Sequence, residues 1–224
     1  MASHTELPAR PLDSGSQRLE FFSDAIMAIA ITLLVIGIDI RKGRHETLAH
    51  ALAHLWPSYL AYALSFCTIG LIWVAHHGMF RRIGSVDRPL LLLNLLLMLW
   101  VAFLPFSTKV LARYSWHAAA NAHVAVLLYS LNMLAIGLAF QALWLYLGRH
   151  RRLFLDPVTP DAVHGSSLRA LVVPAAYLVT TALSFVSVIA CYAVWGAITV
   201  YIALGPATRR IAVWDNPTPP TPAD

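Results

Sequence analysis

The residues best able to do chemistry cluster at the start of the first apolar run, which reads Arg18-Leu-Glu-Phe-Phe22-Ser23-Asp24-Ala-Ile-Met-Ala-Ile29-Ala-Ile-Thr32-Leu33-Leu-Val-Ile36. Asp24 is the sharpest anomaly, because no other charge follows it before Asp39. A carboxylate one or two turns inside a bilayer costs on the order of 3 kcal/mol unless it finds partners, so it must face protein or water. On a helix, at about 100° per residue, Asp24 stands about 140° from Ile29, whereas Phe22, Ile29, Leu33 and Ile36 fall within about 40° of one line. The segment therefore reads as one helix with a polar face and an aliphatic face. Asp24 is either an ion or proton site or a structural anchor bonded to neighbouring helices. The cost of burial demands partners under both readings, which favours the anchor.

Other chemistry-bearing residues are sparser. Trp73, His76 and His77 close a second apolar run, and adjacent histidines diverge by about 100° on a helix, so they do not chelate one metal together. His45-Glu46 is followed by His50, one position too far for the zinc-protease spacing; His50 and His54 share a helix face, in what reads as a basic, solvated loop. Asn94, Asn132 and Gln141 lie within apolar runs, where amides more often join helices than bind ligands. Cys67 and Cys191 lie in different apolar runs without a Cys-x-x-Cys spacing and are expected to be free thiols. There is no nucleophile with an evident base, no glycine-rich phosphate loop and no paired carboxylates, so no enzyme, cofactor or metal site is expected.

The elements that must position these residues follow from composition. Of 224 residues, 58% are hydrophobic and 12% charged, against about 25% charged in an ordinary soluble domain, which points to a polytopic all-α membrane protein. Apolar periodicity and length predict six transmembrane helices, at about 19–40, 50–77, 89–113, 119–148, 167–184 and 188–205. Pro89 suits a first helical turn, and Pro105 is expected to kink the third helix. Residues 168 to 205 carry one charge, Arg169, near their start and are about twice too long for one span, so they divide near Ser184–Ser187. Residues 1–16 and 209–224 read as disordered tails around one unit at 17–208 without internal repeats. The N-terminal segment is a poor signal peptide and is expected to be retained. The sixteen Lys and Arg split eleven to five between the two sides, which favours both termini in the cytoplasm. They lie in short loops beside the spans, so they read as topology signals and no nucleic-acid partner is expected.

The pattern Arg-x-x-x-Phe-Ser-Asp, carried by Arg18, Phe22, Ser23 and Asp24, resembles the signature of the endolysosomal potassium channel family and its bacterial homologues. Trp73-Val-Ala-His76-His77-Gly-Met-Phe80, Asn94 and Pro105-Phe106-Ser107-Thr108 follow in the same order. The resemblance spans all six helices and is most specific over residues 18 to 110. It implies a bacterial homotetramer, in the inner or plasma membrane, around a central pore lined by first helices, passing potassium and other monovalent cations. Ordinary potassium channels carry a Thr-Val-Gly-Tyr-Gly filter, which is absent here. Carried over by position, the resemblance puts Ile29, Leu33 and Ile36 at the hydrophobic constriction and gate, and Thr32 at a hydroxyl layer that selects the ion. It also implies a hydrogen-bonded network of Arg18, Phe22, Ser23, Asp24, Trp73 and His77 that fixes the first helix on the second and third. Potassium would pass near Ile29 and Thr32 as transported ion, with no cofactor. The rivals are a proton-coupled transporter, which would want an ionisable group near the bilayer midplane, and a non-conducting scaffold.

Overall fold

A computed structural model describes residues 14–40, 47–116, 119–155 and 160–204. Their regular structure is helical: α1 (Ser14–Leu33), α2 (Leu48–His54), α3 (Trp56–Phe80), α4 (Arg88–Tyr114), α5 (Ala119–Arg149), α6 (Pro160–Leu183) and α7 (Val188–Leu204). Short 3-10 turns follow α1 at Leu34–Gly37 and α5 at Arg151–Leu153. Four helices are long and apolar enough to cross a membrane: α1 with its 3-10 turn, α3, α4 and α5. The apolar part of α6, Ala170–Leu183, and α7 are shorter.

Helix α4 is the hub, packing against α1, α3 and α5. Its buried positions Leu90, Asn94, Leu97, Met98, Val101, Leu104, Thr108 and Leu111 recur at three- and four-residue spacing, so one stripe faces inward along the whole helix. The start of α4 is set by Asp87, whose carboxylate accepts from the Leu90 amide at 3.1 Å, with proline in the first turn. Helix α5 packs on α6 closely: a Cβ on Gly137 would meet three atoms of Pro174 at 3.2 Å. Trp195 of α7 is fully buried against Tyr129 of α5, with ring centroids 4.7 Å apart.

Several boundaries differ from the expectation, and proline explains two of them. The expected single helix at 50–77 is broken at Leu55, because Pro57 in the first turn of α3 has no N–H to donate and its ring would clash with the carbonyl four residues earlier. Helix α6 starts at Pro160, not near 167, since proline is suited to a first turn; this shortens the loop expected at 149–169. Helix α1 starts at Ser14, within the segment expected to be a disordered tail, and Ser16 is buried with its hydroxyl donating to the Ile83 carbonyl at 2.9 Å. At its other end the α-helix stops at Leu33, short of 40, and tightens into the 3-10 turn. The rest of the expected N-terminal tail, the tail at 209–224, the basic loop Arg41–Arg44 and His45-Glu46 lie outside the described residues.

The two ends of the bundle are unlike. At the end where α1 and α4 begin, the loop after α3 is zipped to the loop after α5: Gly84 N–H donates to the Leu153 carbonyl at 2.8 Å and Leu155 N–H to the Arg82 carbonyl at 2.9 Å. Tyr146 adds a 2.6 Å bond to Asp87. Arg18, Arg81, Arg82, Arg88, Arg149, Arg151 and Arg152 are exposed at this end. The other end carries Lys109 and Arg113 among the described residues, beside an aromatic group in which Trp56 and Trp116 lie 4.7 Å apart and Ser115 bonds Tyr192.

Candidate functional site

Helix α1 presents two faces of opposite character. Leu19, Ser23, Met27, Ala30 and Leu34, at helical spacing, are buried against α3 and α4. Opposite them Phe22 is 46%, Ile29 58%, Leu33 43% and Ile36 67% exposed, and Thr32 is exposed between them. Ile36 falls in the 3-10 turn, where residues three apart eclipse, so it stands over Leu33 instead of continuing the α-helical stripe. The Thr32 hydroxyl donates to the Ile29 carbonyl at 2.8 Å. Its proton is thereby committed to the backbone, and the lone pairs of Oγ1 remain for a cation or another donor.

The polar groups of α1 are held by α3 and α4 in two strands of contact. On the half-buried side, Trp73 Nε1 donates to Asp24 Oδ1 at 2.9 Å. His77 stacks on Trp73 with ring centroids 5.6 Å apart, and its Nδ1 lies 2.9 Å from Glu20 Oε1. That is ion-pair distance for a protonated ring, out of line for a hydrogen bond. Residues 20 and 24 of α1, and 73 and 77 of α3, are each four apart, so the two pairs form rungs between parallel stripes.

On the buried side the chain of bonds determines its own proton positions. The Ser23 hydroxyl donates to the Leu19 carbonyl at 2.9 Å, so its oxygen accepts from Asn94 Nδ2 at 2.8 Å. That turns the Asn94 carbonyl toward His76, 2.9 Å away, and Nε2 of His76 must supply the hydrogen. His76 is fully buried, stacks on Phe80 at 4.1 Å, and its Nδ1 has no partner among the described residues.

The structure thus brings Ser23, Asp24, Trp73 and His77 to one region. Arg18 is exposed and makes no hydrogen bond or ion pair with a described residue; Glu20, His76 and Asn94 take part instead. Phe22 lies on the exposed face. Glu20 was legible as the residue one turn before Asp24, and Asn94 as a lone amide in a leucine run. Their pairing depends on how α3 and α4 cross α1. A second buried polar group lies further along, where Thr108, Ser65 and Tyr129 are joined in steps of 2.8 and 3.2 Å and Asn132 donates to Ser107 at 3.0 Å. Among the described residues no three His, Cys, Asp or Glu side chains converge as a metal site.

A helix bonded by its polar face to α3 and α4, with its other face apolar and exposed, among further helices long and apolar enough to cross a bilayer, defines a membrane protein. The sequence profile described as endosomal/lysosomal potassium channel TMEM175 matches residues 18–105. A potassium channel of Streptomyces collinus is 43% identical over 83% of this chain and 90% of its own length. A potassium channel of Chamaesiphon minutus is 38% identical over 87% of this chain and 96% of its own. The crystal structure of a lysosomal potassium-selective channel TMEM175 homologue from Chamaesiphon minutus superposes with a TM-score of 0.77, at 36% identity, over 86% of this chain and 98% of that one. The chain belongs to the TMEM175 family.

Proposed function

We propose that this chain conducts potassium passively as a homotetramer, through a central pore formed by four copies of α1. The observation that carries the reading is the face Phe22, Ile29, Leu33 and Ile36, apolar and exposed in one chain while the opposite face is sealed on α3 and α4. Four such faces meeting on an axis bury one another, and rings of Ile29, Leu33 and Ile36 close a pore by expelling water from it. Four Thr32 oxygens, each with its proton turned to the backbone, replace part of a cation's lost hydration. The network of Ser23, Asp24, Trp73 and His77 keeps the angle of α1 constant against the rest of the bundle. Potassium as the ion is supported by the names of the Streptomyces and Chamaesiphon relatives.

Six spans follow if α6 and α7 cross the membrane beside the four longer helices. The exposed arginines at the end where α1 begins favour that end, and both termini, on the cytoplasmic side of a bacterial inner membrane. The channel needs no cofactor, and its ligand is the ion it passes.

Potassium uptake into proteoliposomes along a potassium gradient tests the reading. Wild type is expected to conduct, Ile29→Asn to raise the flux by wetting the constriction, and Thr32→Ala to change the ratio of potassium to sodium permeation. Flux that saturates and vanishes without a proton gradient would mark a transporter. No flux in any of the three proteins would leave the apolar face a packing surface.

A further inference from the structure

His50 and His54 lie outside the machinery described so far, on the short exposed helix α2 that packs against the start of α3. Thr47 caps this helix by accepting from the His50 amide at 3.3 Å, so the two histidines keep the four-residue spacing that places them on one face. Their ring centroids are 4.1 Å apart with the planes tilted by 46°. His54 Nδ1 lies 3.1 Å from the His50 carbonyl. A carbonyl can only accept, so Nδ1 carries the hydrogen and Nε2 carries the lone pair. This is the arrangement of a metal-binding imidazole, whose remote N–H is held by a backbone carbonyl while the other nitrogen is left as a base.

We infer that His50 and His54 form a two-histidine chelate for a divalent transition-metal ion of the zinc class, on the surface of α2. Two nitrogens bound to one tetrahedral ion at about 2.0–2.1 Å stand about 3.4 Å from each other, within reach of rings this close. Histidines four apart on a helix are a recurrent zinc pair for this reason. The ion takes Nε2 of His54 and one ring nitrogen of His50. Among the described residues no third His, Cys, Asp or Glu joins them, and a two-residue chelate completed by water binds more weakly than three- and four-residue sites. The plain alternative is a solvated helix whose two rings merely stack. The inference does not depend on ion conduction.

Isothermal titration of Zn2+ into the full, tag-free chain in detergent micelles distinguishes the two. The expected result is one site per chain that His50→Ala and His54→Ala each weaken at least tenfold. The double variant should be no weaker than the worse single one, because a chelate is lost at the first substitution. Both residues are exposed, so helical content by circular dichroism and the elution profile should stay at wild type. Equal Zn2+ affinity in wild type and the double variant, or no saturable binding by wild type, would overturn the inference.

Discussion

Asn94 joins three helices through two bonds in a fully buried place: it donates to Ser23 of α1 and accepts from His76 of α3. Asn94→Leu keeps the volume roughly constant while stranding the Ser23 oxygen and the His76 N–H, each at about 1–3 kcal/mol. Trp73→Phe removes one bond to Asp24 from a partly exposed position, where a neighbouring group or water can substitute, at about 0.5–1.5 kcal/mol. Asn94→Leu should therefore lower the thermal unfolding midpoint in detergent more than Trp73→Phe does. The reverse order would place the main hold on α1 at Asp24. Asp24 was conspicuous in the sequence because a charge in an apolar run has to be accounted for. The chain from Ser23 through Asn94 to His76 was not, because serine, asparagine and histidine are each unremarkable alone. What makes them one structure is a crossing of three helices that residue spacing does not encode.

At the level of elements, helix type was legible wherever an apolar run exceeded the bilayer thickness, which is why the all-α fold followed from composition and length. The ends were less so, since hydropathy continues through Leu55 and proline, a local stereochemical fact, decides the break there. Asp87 shows how an end is held. It caps α4 through the Leu90 amide and accepts from Tyr146 of α5 at 2.6 Å. Burial pushes its carboxyl up, but the Tyr146 hydroxyl, the Leu90 amide and the charges of His150 and Arg152 outweigh it and hold the group below the ordinary carboxylate range. A carboxyl whose folded-state value is depressed adds stability that is fully present above its unfolded value and is lost as pH falls through the folded one. Asp87→Ala should cost about 0.5–2 kcal/mol for the cap alone. Asp87→Asn keeps a capping oxygen, so it should lie between wild type and Asp87→Ala at neutral pH, with its difference from wild type shrinking in acid. Unfolding in denaturant at neutral and acid pH measures both, and a difference for Asp87→Asn that grows in acid would show that the charge is not what stabilises this end.

For the whole molecule, the informative feature is what a single chain leaves uncovered. Ile29, Leu33 and Ile36 are large, apolar and exposed, while Met27, two positions before Ile29, and Ala30, the next residue after it, are at 1% and 2%. Alternation of this kind on one helix cannot by itself tell lipid contact from contact with further copies, so assembly is expected from the family resemblance and not from the helix pattern. Thiol cross-linking separates the two. In a background with Cys67→Ser and Cys191→Ser, Ile29→Cys places one thiol per chain on the proposed axis, and Met27→Cys places one on the face sealed by α3 and α4. If four α1 helices surround a pore, a short bifunctional thiol reagent should convert Ile29→Cys into linked dimers in high yield, the largest product that one thiol per chain allows. Met27→Cys should stay monomeric on a denaturing gel. Lipid-facing thiols on separate chains would collide only at random, giving weak dimers that fade as the protein is diluted into more lipid. Linkage at Ile29 that persists on dilution therefore requires the apolar face of α1 to meet its own copies, the geometry on which both the constriction and the Thr32 layer depend.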